Sequence, residues 1–503
     1  MPPRTEPADR TPSADPAVWP VLIIGSGFSG LGMAVQLDRS GIGPWVMLER
    51  DSEIGGTWRD NTYPGCACDI PSPLYSFSFA PNPNWSRLYA HHDEIQRYLL
   101  EVVDTHRLRP HVRLGREVVC ARYDDDVRLW TVTTANGETY RARVVVSGMG
   151  PLSVPARPNV PGLDAFEGRQ FHSATWDHDA DLSGKRVAVI GTGASAIQFV
   201  PHVAKQVAAL TLFQRTAPWI IPSRDRRFGS RERALFSAVP WAQKALRGWI
   251  YARHELRALA FTGKRLQVLM KLGERTARTH LHDQVADPTL RAKLTPSFSL
   301  GCKRVLRSST YYPALTQANV DVVTSPIERV DATGVVTSRG RHDVDVIIHG
   351  TGFKVQQQVA PGVIFGRDGV DLGEVWGERM AAYKGTAVAG FPNLFFLVGP
   401  NVSLGHNSMV YMIESQVAYI VDALQRMRAQ GWATVEVDAE VQARFTADLD
   451  ARLGQTIWAS GCRSWYLDDR GRNTTLWPGF TFQFRKLTAR FDAENYRIAG
   501  DAV

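Results

Sequence analysis

The sequence predicts an α/β protein with two parallel-sheet domains and a helical insertion. Three observations support this prediction. A short apolar strand followed by a glycine-rich loop and a helix occurs twice, each copy closes on a second strand, and residues 226–294 are rich in Arg, Ala and Leu but poor in strand-forming residues. Of the 503 residues, 44% are hydrophobic and 21% are charged. These ordinary values exclude disorder and fibrous repeats.

The first glycine-rich unit covers residues 21–50. Its first strand, over residues 21–24, runs into a G-x-G-x-x-G pattern, and its second strand ends at Glu49. The glycines are Gly25, Gly27 and Gly30. They permit a tight turn and let the backbone approach a pyrophosphate, whose charge the following helix N-terminus attracts. The unit therefore predicts a Rossmann-like dinucleotide-binding domain.

A second unit begins at residue 185 and reads KRVAVIGTGASAIQFV. Gly191 and Gly193 take the first two glycine positions, and Ala196, a tolerated small residue, takes the third. The second strand of this unit ends at Arg215. The first glycine and the charged residue at the strand end are 24 residues apart in both units. The repeat predicts a second domain of the same kind.

The charge at the end of the second strand distinguishes the two ligands. Glu49 would accept hydrogen bonds from ribose hydroxyls and repel a 2′-phosphate. Arg215 would bind that phosphate through two N–H groups. The first unit is thus expected to hold FAD or NAD, and the second NADP. Two nicotinamide sites would have no chemistry between them, so FAD is the interpretation for the first unit.

The remaining composition restricts partners and location. The net charge of +8 is spread without a basic cluster, which predicts no nucleic-acid partner. No apolar run reaches the roughly 18 residues that span a bilayer. Residues 1–17 are predicted to be a flexible arm and not a signal peptide. The five cysteines are expected to be reduced thiols in a cytoplasmic protein, whose oligomeric state the sequence does not predict.

Three local patterns are assigned structural roles. Asp93, in the run HHDE, is predicted to cap a helix over residues 94–103, and no metal site is predicted. Cys66 and Cys68 are separated by one residue, not by the two of a redox CxxC motif. Residues 235–251 are interpreted as a packed helical face in preference to a membrane contact. The aromatic residues of that stretch are Phe236, Trp241, Trp249 and Tyr251.

The segment 166–177, FEGRQFHSATWD, resembles the fingerprint of the type I Baeyer–Villiger monooxygenases. The related N- and S-hydroxylating monooxygenases lack its Trp-Asp/Pro ending. The resemblance covers nearly the whole chain after residue 19, through GGTWRDNTYPGCACDIP, LGCKRVLRSSTYYPAL, VDVIIHGTGF and GHNSMVYMIESQ. The tail DDRGRNTTLWPGF differs from the loop of the cyclohexanone-type members, and His349 stands where many members have alanine.

The resemblance implies an enzyme that uses FAD, NADPH and O2 to convert a ketone into an ester or lactone. It implies that Arg304 and bound NADP+ stabilise a flavin C4a-peroxide, and that Asp69 positions Arg304. Lys303 and Arg215 are the implied contacts to the NADP 2′-phosphate. Trp465 falls in the family's mobile C-terminal loop, where a tryptophan folds over NADP. Which ketone is oxidised does not follow from the sequence.

The candidate site residues form two sets. The candidate catalytic residues are Arg304 and Asp69. The candidate cofactor-binding residues are Gly25, Gly27, Gly30, Glu49, Gly56, Thr57, Trp58, Asp69, Tyr75, Val118, Met409, Gly191, Thr192, Gly193, Ala194, Ser195, Ala196, Gln198, Arg215, Thr216, Lys303 and Trp465. His172 and Trp176 are family markers of domain motion, to which no direct chemistry is assigned.

The predicted domain limits follow the two units and the insertion. The FAD domain is expected over 18–150 and 385–503, the NADP domain over 155–222 and 301–352, and the helical insertion over 223–300. The substrate is expected in the cleft between the nucleotide domains.

Three alternatives differ in the site they require. An N- or S-hydroxylating flavin monooxygenase, acting on amines or sulfides, is disfavoured by the Trp-Asp ending and by Lys303-Arg304. A disulfide reductase lacks its CxxC motif. A non-catalytic flavoprotein would show no NADPH turnover.

Overall fold

The computed structural model describes residues 17–262 and 268–500, so all but the last residue of the predicted arm lies outside the described residues. The strands are β1 (Trp19–Ile24), β2 (Trp45–Leu48), β3 (Val112–Arg113), β4 (Val118–Asp124), β5 (Leu129–Thr134), β6 (Thr139–Ser147), β7 (Arg169–His172), β8 (Arg186–Ile190), β9 (Ala209–Phe213), β10 (Ile220–Ile221), β11 (Leu306–Arg307), β12 (Val320–Val323), β13 (Ile327–Asp331), β14 (Gly334–Thr337), β15 (Gly340–Asp343), β16 (Val346–His349), β17 (Ile364–Phe365), β18 (Leu394–Phe396), β19 (Trp432–Val437) and β20 (Tyr496–Gly500).

The helices, numbered the same way, are α1 (Phe28–Arg39), α2 (Thr57–Asp60), α3 (His92–Thr105), α4 (Ala194–Val203), α5 (Ser230–Ala238), α6 (Pro240–Thr262), α7 (Val268–Gln284), α8 (Pro288–Lys293), α9 (Tyr311–Leu315), α10 (Leu372–Glu378), α11 (Met409–Gln430), α12 (Ala439–Leu453) and α13 (Thr481–Leu487). Short 3-10 turns connect several of these elements.

The first sheet has β1 near its centre, in the order β17-β4-β5-β6-β1-β2-β3, with β18 also pairing with β6. β1 runs parallel to β2 and β6, so its backbone is bonded on both edges. Its side chains alternate between two cores. Val21 and Ile23 pack in one cluster, whereas Leu22 and Ile24 pack in the other. A strand covered on both faces reads as a continuous apolar run, which is why β1 could be predicted.

The second sheet is parallel throughout, in the order β12-β9-β8-β16-β7. β8 is buried on both faces, with Val187 and Val189 in one core and Ala188 and Ile190 in another. A small antiparallel sheet, β13-β14-β15, joins its core. The predicted fold class is confirmed: there are two sheet-based units, of which the first sheet is mixed because β4, β5 and β6 pair antiparallel. The helical segment interrupts the chain of the second unit, between β9 and β12. The domain limits remain predictions. β17, which no predicted domain contained, pairs with β4 of the first sheet.

The insertion is formed by α5, α6, α7 and α8, between β10 and β11. Phe236 and Tyr251 pack against the first core, as expected of a packed face. Trp241 and Trp249 do not, since they are 72% and 59% exposed. The packed-face interpretation is therefore wrong for these two residues, because helical spacing alone does not show which face is covered. No helix in the described ranges is both long and apolar enough to cross a bilayer.

The helix predicted over residues 94–103 begins earlier, at His92. Asp93 therefore lies within the first turn and is not the capping residue, so that prediction was wrong. The Asp93 carboxylate lies 3.6 Å from Arg97 on the exposed side of α3. In the described part of the chain, no group of three or more His, Cys, Asp and Glu side chains could hold a metal ion.

Candidate active site

The first glycine loop connects β1 to α1. Gly25 has a φ of +92°, which favours glycine. A Cβ on Gly30 would lie 2.0 Å from the Gly25 carbonyl oxygen, so helix and strand pack too closely there for any side chain. Gly27 differs, because its nearest neighbour would be 3.9 Å away. No side chain caps α1, and no acid lies in its first turn. Its N–H groups can bind a pyrophosphate, and the loop fits a dinucleotide.

Glu49 lies buried directly after β2. Its Oε2 atom accepts hydrogen bonds from the Ser26 amide, at 2.9 Å, and from the Ser26 hydroxyl, at 2.5 Å. Its Oε1 atom accepts one from Arg59 Nη1 at 3.1 Å. These contacts fix the carboxylate beside the glycine loop, where a ribose would lie. Ser26 could have been found as the middle residue of G-x-G, but nothing in the sequence marked Arg59.

The loop after β2 places Gly56, Thr57 and Trp58 at the start of α2. Gly56 has a φ of +56°, and a Cβ there would lie 3.2 Å from Gly27 Cα. The loop that carries Gly56 therefore touches the first glycine loop. Trp58 Nε1 donates to the Tyr75 hydroxyl at 3.2 Å, and burial raises the pKa of Tyr75. The other two candidates for this domain lie at element starts: Val118 begins β4, and Met409 begins α11.

The second glycine loop connects β8 to α4. Gly191 has a φ of +112°, and a Cβ there would lie 2.3 Å from the Gly350 carbonyl oxygen. At Gly193 the nearest atom would be 3.9 Å away, as at the middle glycine of the first loop. Ala196 is fully buried against Gly350, which explains the small third residue. The N-terminus of α4, which begins at Ala194, has no side-chain cap. This loop also fits a dinucleotide.

Arg215 follows β9 and is exposed. None of the carboxylates in the described residues pairs with it. Burial and the nearby charge of Arg215 lower the pKa of Lys303, so the two cations lie close together. Lys303 Nζ lies 4.7 Å from the centroid of the Phe298 ring. Thr192 Oγ1 donates to the carbonyl oxygen of Thr216 at 3.1 Å, which joins the glycine loop to the segment after Arg215. Two unneutralised cations beside a dinucleotide loop fit a phosphate.

Gln198 on α4 joins the second domain to the loop that leads to Asp69. Its Oε1 atom accepts from the Tyr63 hydroxyl at 2.9 Å, and its Nε2 atom donates to the Ala67 carbonyl at 3.0 Å. Ser195 also interacts with the Tyr63 hydroxyl. Gln198 and Ser195 were predicted as cofactor contacts, and the structure shows them in contact with the first domain.

Arg304 and Asp69 form a two-point ion pair. Arg304 Nε donates to Asp69 Oδ2 at 2.8 Å, and Nη2 donates to Oδ1 at 2.8 Å. Arg304 Nη1 lies 3.4 Å from the carbonyl oxygen of Leu404. The Asp69 charge raises the pKa of Arg304 against the effect of burial. The pair therefore joins three distant parts of the chain and keeps a permanent positive charge where they meet.

The C-terminal loop brings Tyr466, not Trp465, into the interior beside this pair. Tyr466 is 1% exposed, its hydroxyl has no hydrogen-bond partner among the described residues, and it interacts electrostatically with Arg304. Burial raises the pKa of Tyr466 to about 12, so the phenol is neutral. Trp465 is 40% exposed, with its ring 4.4 Å from that of Tyr466. Tyr466 was not among the predicted site residues, although its neighbour Trp465 was.

A disulfide joins Cys302 to Cys462, with a Cα–Cα distance of 6.2 Å. The expectation that all five cysteines are reduced thiols is therefore wrong for this pair. It failed because the two residues are 160 positions apart and only the fold brings them together. The bond fastens the loop that carries Tyr466 to the segment that carries Arg304. Cys66, Cys68 and Cys120 are free.

The two family markers lie within the second domain. His172 ends β7 opposite His349 on β16, and burial lowers the pKa of both imidazoles, that of His349 to about 4. Both side chains are therefore neutral near pH 7. Trp176 packs against Phe199 at a ring-centroid distance of 5.4 Å. His172 accepts a hydrogen bond from the Ala174 amide and Trp176 packs on Phe199, so both residues make the contacts of structural residues.

Two glycine loops that each fit a dinucleotide, together with a fixed arginine–carboxylate pair, define a two-cofactor oxidoreductase. A family model described as pyridine nucleotide-disulphide oxidoreductase matches residues 22–229. A protein named Baeyer-Villiger monooxygenase from Pseudomonas aeruginosa is 52% identical over 481 residues, which cover 95% of this chain and 91% of that protein. A Streptomyces coelicolor protein of the same name is 48% identical, with 95% and 92% covered.

Solved structures agree. One titled oxidized steroid monooxygenase bound to NADP has a TM-score of 0.84 and 30% identity, covering 97% of this chain and all of that one. A closed cyclohexanone monooxygenase structure has a TM-score of 0.85 and 29% identity, covering 96% and 99%. The chain belongs to the Baeyer–Villiger monooxygenase family, and the resemblance inferred from residues 166–177 is confirmed. It is a flavoprotein monooxygenase that uses NADPH.

Substituting the two glycines of the first loop should separate folding from cofactor binding. Gly30→Ala should destabilise the protein by about 1–3 kcal/mol, because its Cβ would clash with backbone. Gly27→Ala should leave the apoprotein stable but reduce bound FAD, because its Cβ would come no nearer to the protein than 3.9 Å, from Gly56 Cα, and would instead narrow the glycine loop. Thermal unfolding of the apoprotein and the FAD-to-protein ratio measure the two effects. Equal losses of stability in both variants would contradict this explanation.

Removing the disulfide should destabilise the protein by about 2–4 kcal/mol. Cys462→Ser should show this loss in thermal unfolding, and Cys120→Ser, at a free thiol, is the matched control. Peptide mapping of unreduced protein should recover residues 302 and 462 in one cross-linked peptide. Alkylation of both thiols in unreduced protein would contradict the pairing.

Proposed function

We propose that this enzyme converts a ketone into an ester or lactone at the Arg304–Asp69 pair, with FAD held by the first glycine loop and NADPH by the second. The observation that supports this most directly is the two-point bond between Arg304 and Asp69. Membership of the Baeyer–Villiger family supports the reaction type. The bound flavin, with NADPH as its reductant, supplies activated oxygen.

Arg304 provides a fixed positive charge for the oxygen that becomes negative during the reaction. A guanidinium does not lose its proton near neutral pH, so the charge is present throughout turnover. Its side chain is 29% exposed, and the partly enclosed site strengthens the electrostatic effect compared with water. Arg304 therefore favours ketone oxidation, which needs an anionic oxygen, over oxidation of amines or sulfides.

Asp69 positions Arg304 and does not itself need to react. Because both carboxylate oxygens accept from the guanidinium, they fix its plane as well as its distance. The Leu404 carbonyl accepts from the remaining edge. The buried Tyr466, carried by the disulfide-linked loop, lies beside the pair.

Glu49 and Arg215 set which nucleotide binds at each loop. Glu49 is buried and held by Ser26 and Arg59, so a 2′-phosphate there would meet a fixed negative charge. Arg215 and Lys303 offer the opposite charge at the second loop. This asymmetry directs FAD to the first domain and NADPH to the second.

A substrate panel tests the proposed function. The purified enzyme, loaded with FAD, would be incubated with NADPH, air and in turn cyclic ketones, linear ketones, a thioether and a tertiary amine. We expect an ester or lactone from at least one class of ketone. Oxidation of the thioether or amine with every ketone recovered unchanged would instead make the protein an N- or S-hydroxylating monooxygenase.

A further inference from the structure

The five most exposed large apolar side chains in the described residues all lie on two helices of the insertion. They are Trp241 at 72%, Leu256 at 66%, Leu272 at 64%, Trp249 at 59% and Val268 at 58%. Trp241, Trp249 and Leu256 are on α6. Leu272 and Val268 are on α7, which packs against α6. Such a concentration of exposed apolar area marks an interaction surface and not scattered surface residues.

The apolar residues of α6 share one face. Trp241, Trp249 and Leu256 are separated by 8 and 7 residues, which at 100° per residue places them within an arc of about 80°. Ile250 and His254, from the opposite side, are buried, and His254 Nδ1 lies 3.0 Å from the carbonyl oxygen of His406. The helix is therefore anchored to the protein by one face and presents the other outward.

The exposed charges of α6, which flank this outward face, have one sign. Lys244 and Arg253 are exposed on α6, and the only acid of that helix is the buried Glu255. Lys271 and Arg275 lie beside the apolar residues of α7. No ion pair neutralises these four cations within the described residues, and the Arg253 guanidinium lies 5.4 Å from the centroid of the Trp249 ring. We call Trp241, Lys244, Trp249, Arg253 and Leu256 the outer face of α6.

We propose that the outer face of α6 docks the enzyme on an anionic lipid bilayer. Tryptophan prefers the headgroup region of a bilayer, and each Lys or Arg near an anionic surface contributes about 1 kcal/mol. A second copy of the chain is the less suitable occupant, because a twofold contact would bring the same cations against each other. Docking needs no spanning helix, and it does not depend on the proposed reaction.

Vesicle flotation tests this proposal with the FAD-loaded enzyme. Vesicles of phosphatidylcholine containing phosphatidylserine should carry the enzyme upward, and pure phosphatidylcholine should not. The double variant Trp241→Ala/Trp249→Ala and the charge variant Lys244→Glu/Arg253→Glu should each reduce the bound fraction by about tenfold or more. High salt should release the wild type. Val127→Ala/Val375→Ala, at exposed apolar sites outside the insertion, is the matched control and should bind normally.

Other outcomes would overturn the proposal. Failure of the wild type to float with anionic vesicles would exclude a lipid partner. A concentration-dependent dimer that Trp241→Ala/Trp249→Ala converts to a monomer would assign the face to a second copy. Flavin content and thermal stability of each variant should equal those of the wild type, since none of the substituted residues lies in a glycine loop or touches Arg304.

Discussion

Replacing Arg304 by alanine should reduce the rate of ester formation by about 10²–10³-fold, while NADPH consumption continues. Arg304 is the charged group that Asp69 holds by two hydrogen bonds where the two domains meet. In the proposed reaction, its removal takes away the positive charge on which the anionic oxygen depends, whereas both glycine loops stay intact. Product formation and NADPH oxidation, measured in the same reaction, separate the two effects.

The conservative variants refine this result. Arg304→Lys keeps a positive charge but cannot make the planar two-point bond, so we expect an intermediate rate. Asp69→Asn keeps the shape of the carboxylate but weakens the orientation of Arg304, and should lose less than Arg304→Ala. Arg97→Ala, on the exposed side of α3, is the control. Ester formation at the wild-type rate by a flavin-loaded Arg304→Ala variant would disprove the role given to Arg304.

Replacing Arg215 by alanine should raise the KM for NADPH by about 10–100-fold and change the KM for NADH little. Arg215 is exposed and unpaired among the described residues, so its removal leaves no buried carboxylate without a partner. The expected loss is the charge-assisted bond to the 2′-phosphate, a group that NADH lacks. The ratio of the two KM values therefore measures the contact directly.

Two comparisons make the Arg215 result specific. Arg215→Lys should recover part of the affinity for NADPH, because the charge remains without the forked geometry. Arg339→Ala, at another exposed arginine of the second domain, should leave both KM values unchanged. A parallel rise in the KM for NADH and NADPH would indicate structural damage. Unchanged values would place the 2′-phosphate elsewhere.

The glycine loops could be predicted because their requirements are local. Gly25 and Gly191 adopt a positive φ, and the close approach of Gly30 to Gly25 leaves no room for a side chain. Such constraints fix residue type and spacing together, so a single sequence shows them. The buried β1 and β8 were visible for a similar reason, since both faces of each strand are covered.

The features that were missed depend on contacts between distant segments. The Cys302–Cys462 bond closes over 160 residues, and the position of Tyr466 beside Arg304 follows from that closure. The exposure of Trp241 could not be predicted from the sequence either, because helical periodicity is the same for a covered and an uncovered face. Local sequence patterns therefore predicted the main elements and the glycine loops, whereas tertiary packing decides what surrounds the Arg304–Asp69 pair.

The most direct test of the central claim is the yield of ester per NADPH consumed, measured with a ketone under ¹⁸O2. The two-domain site with Arg304 at its junction predicts that ester formation accounts for most of the NADPH consumed, and that each ester molecule contains one oxygen atom from O2. NADPH consumption with the ketone recovered unchanged and hydrogen peroxide as the product would contradict it, because the site would then activate oxygen without transferring it.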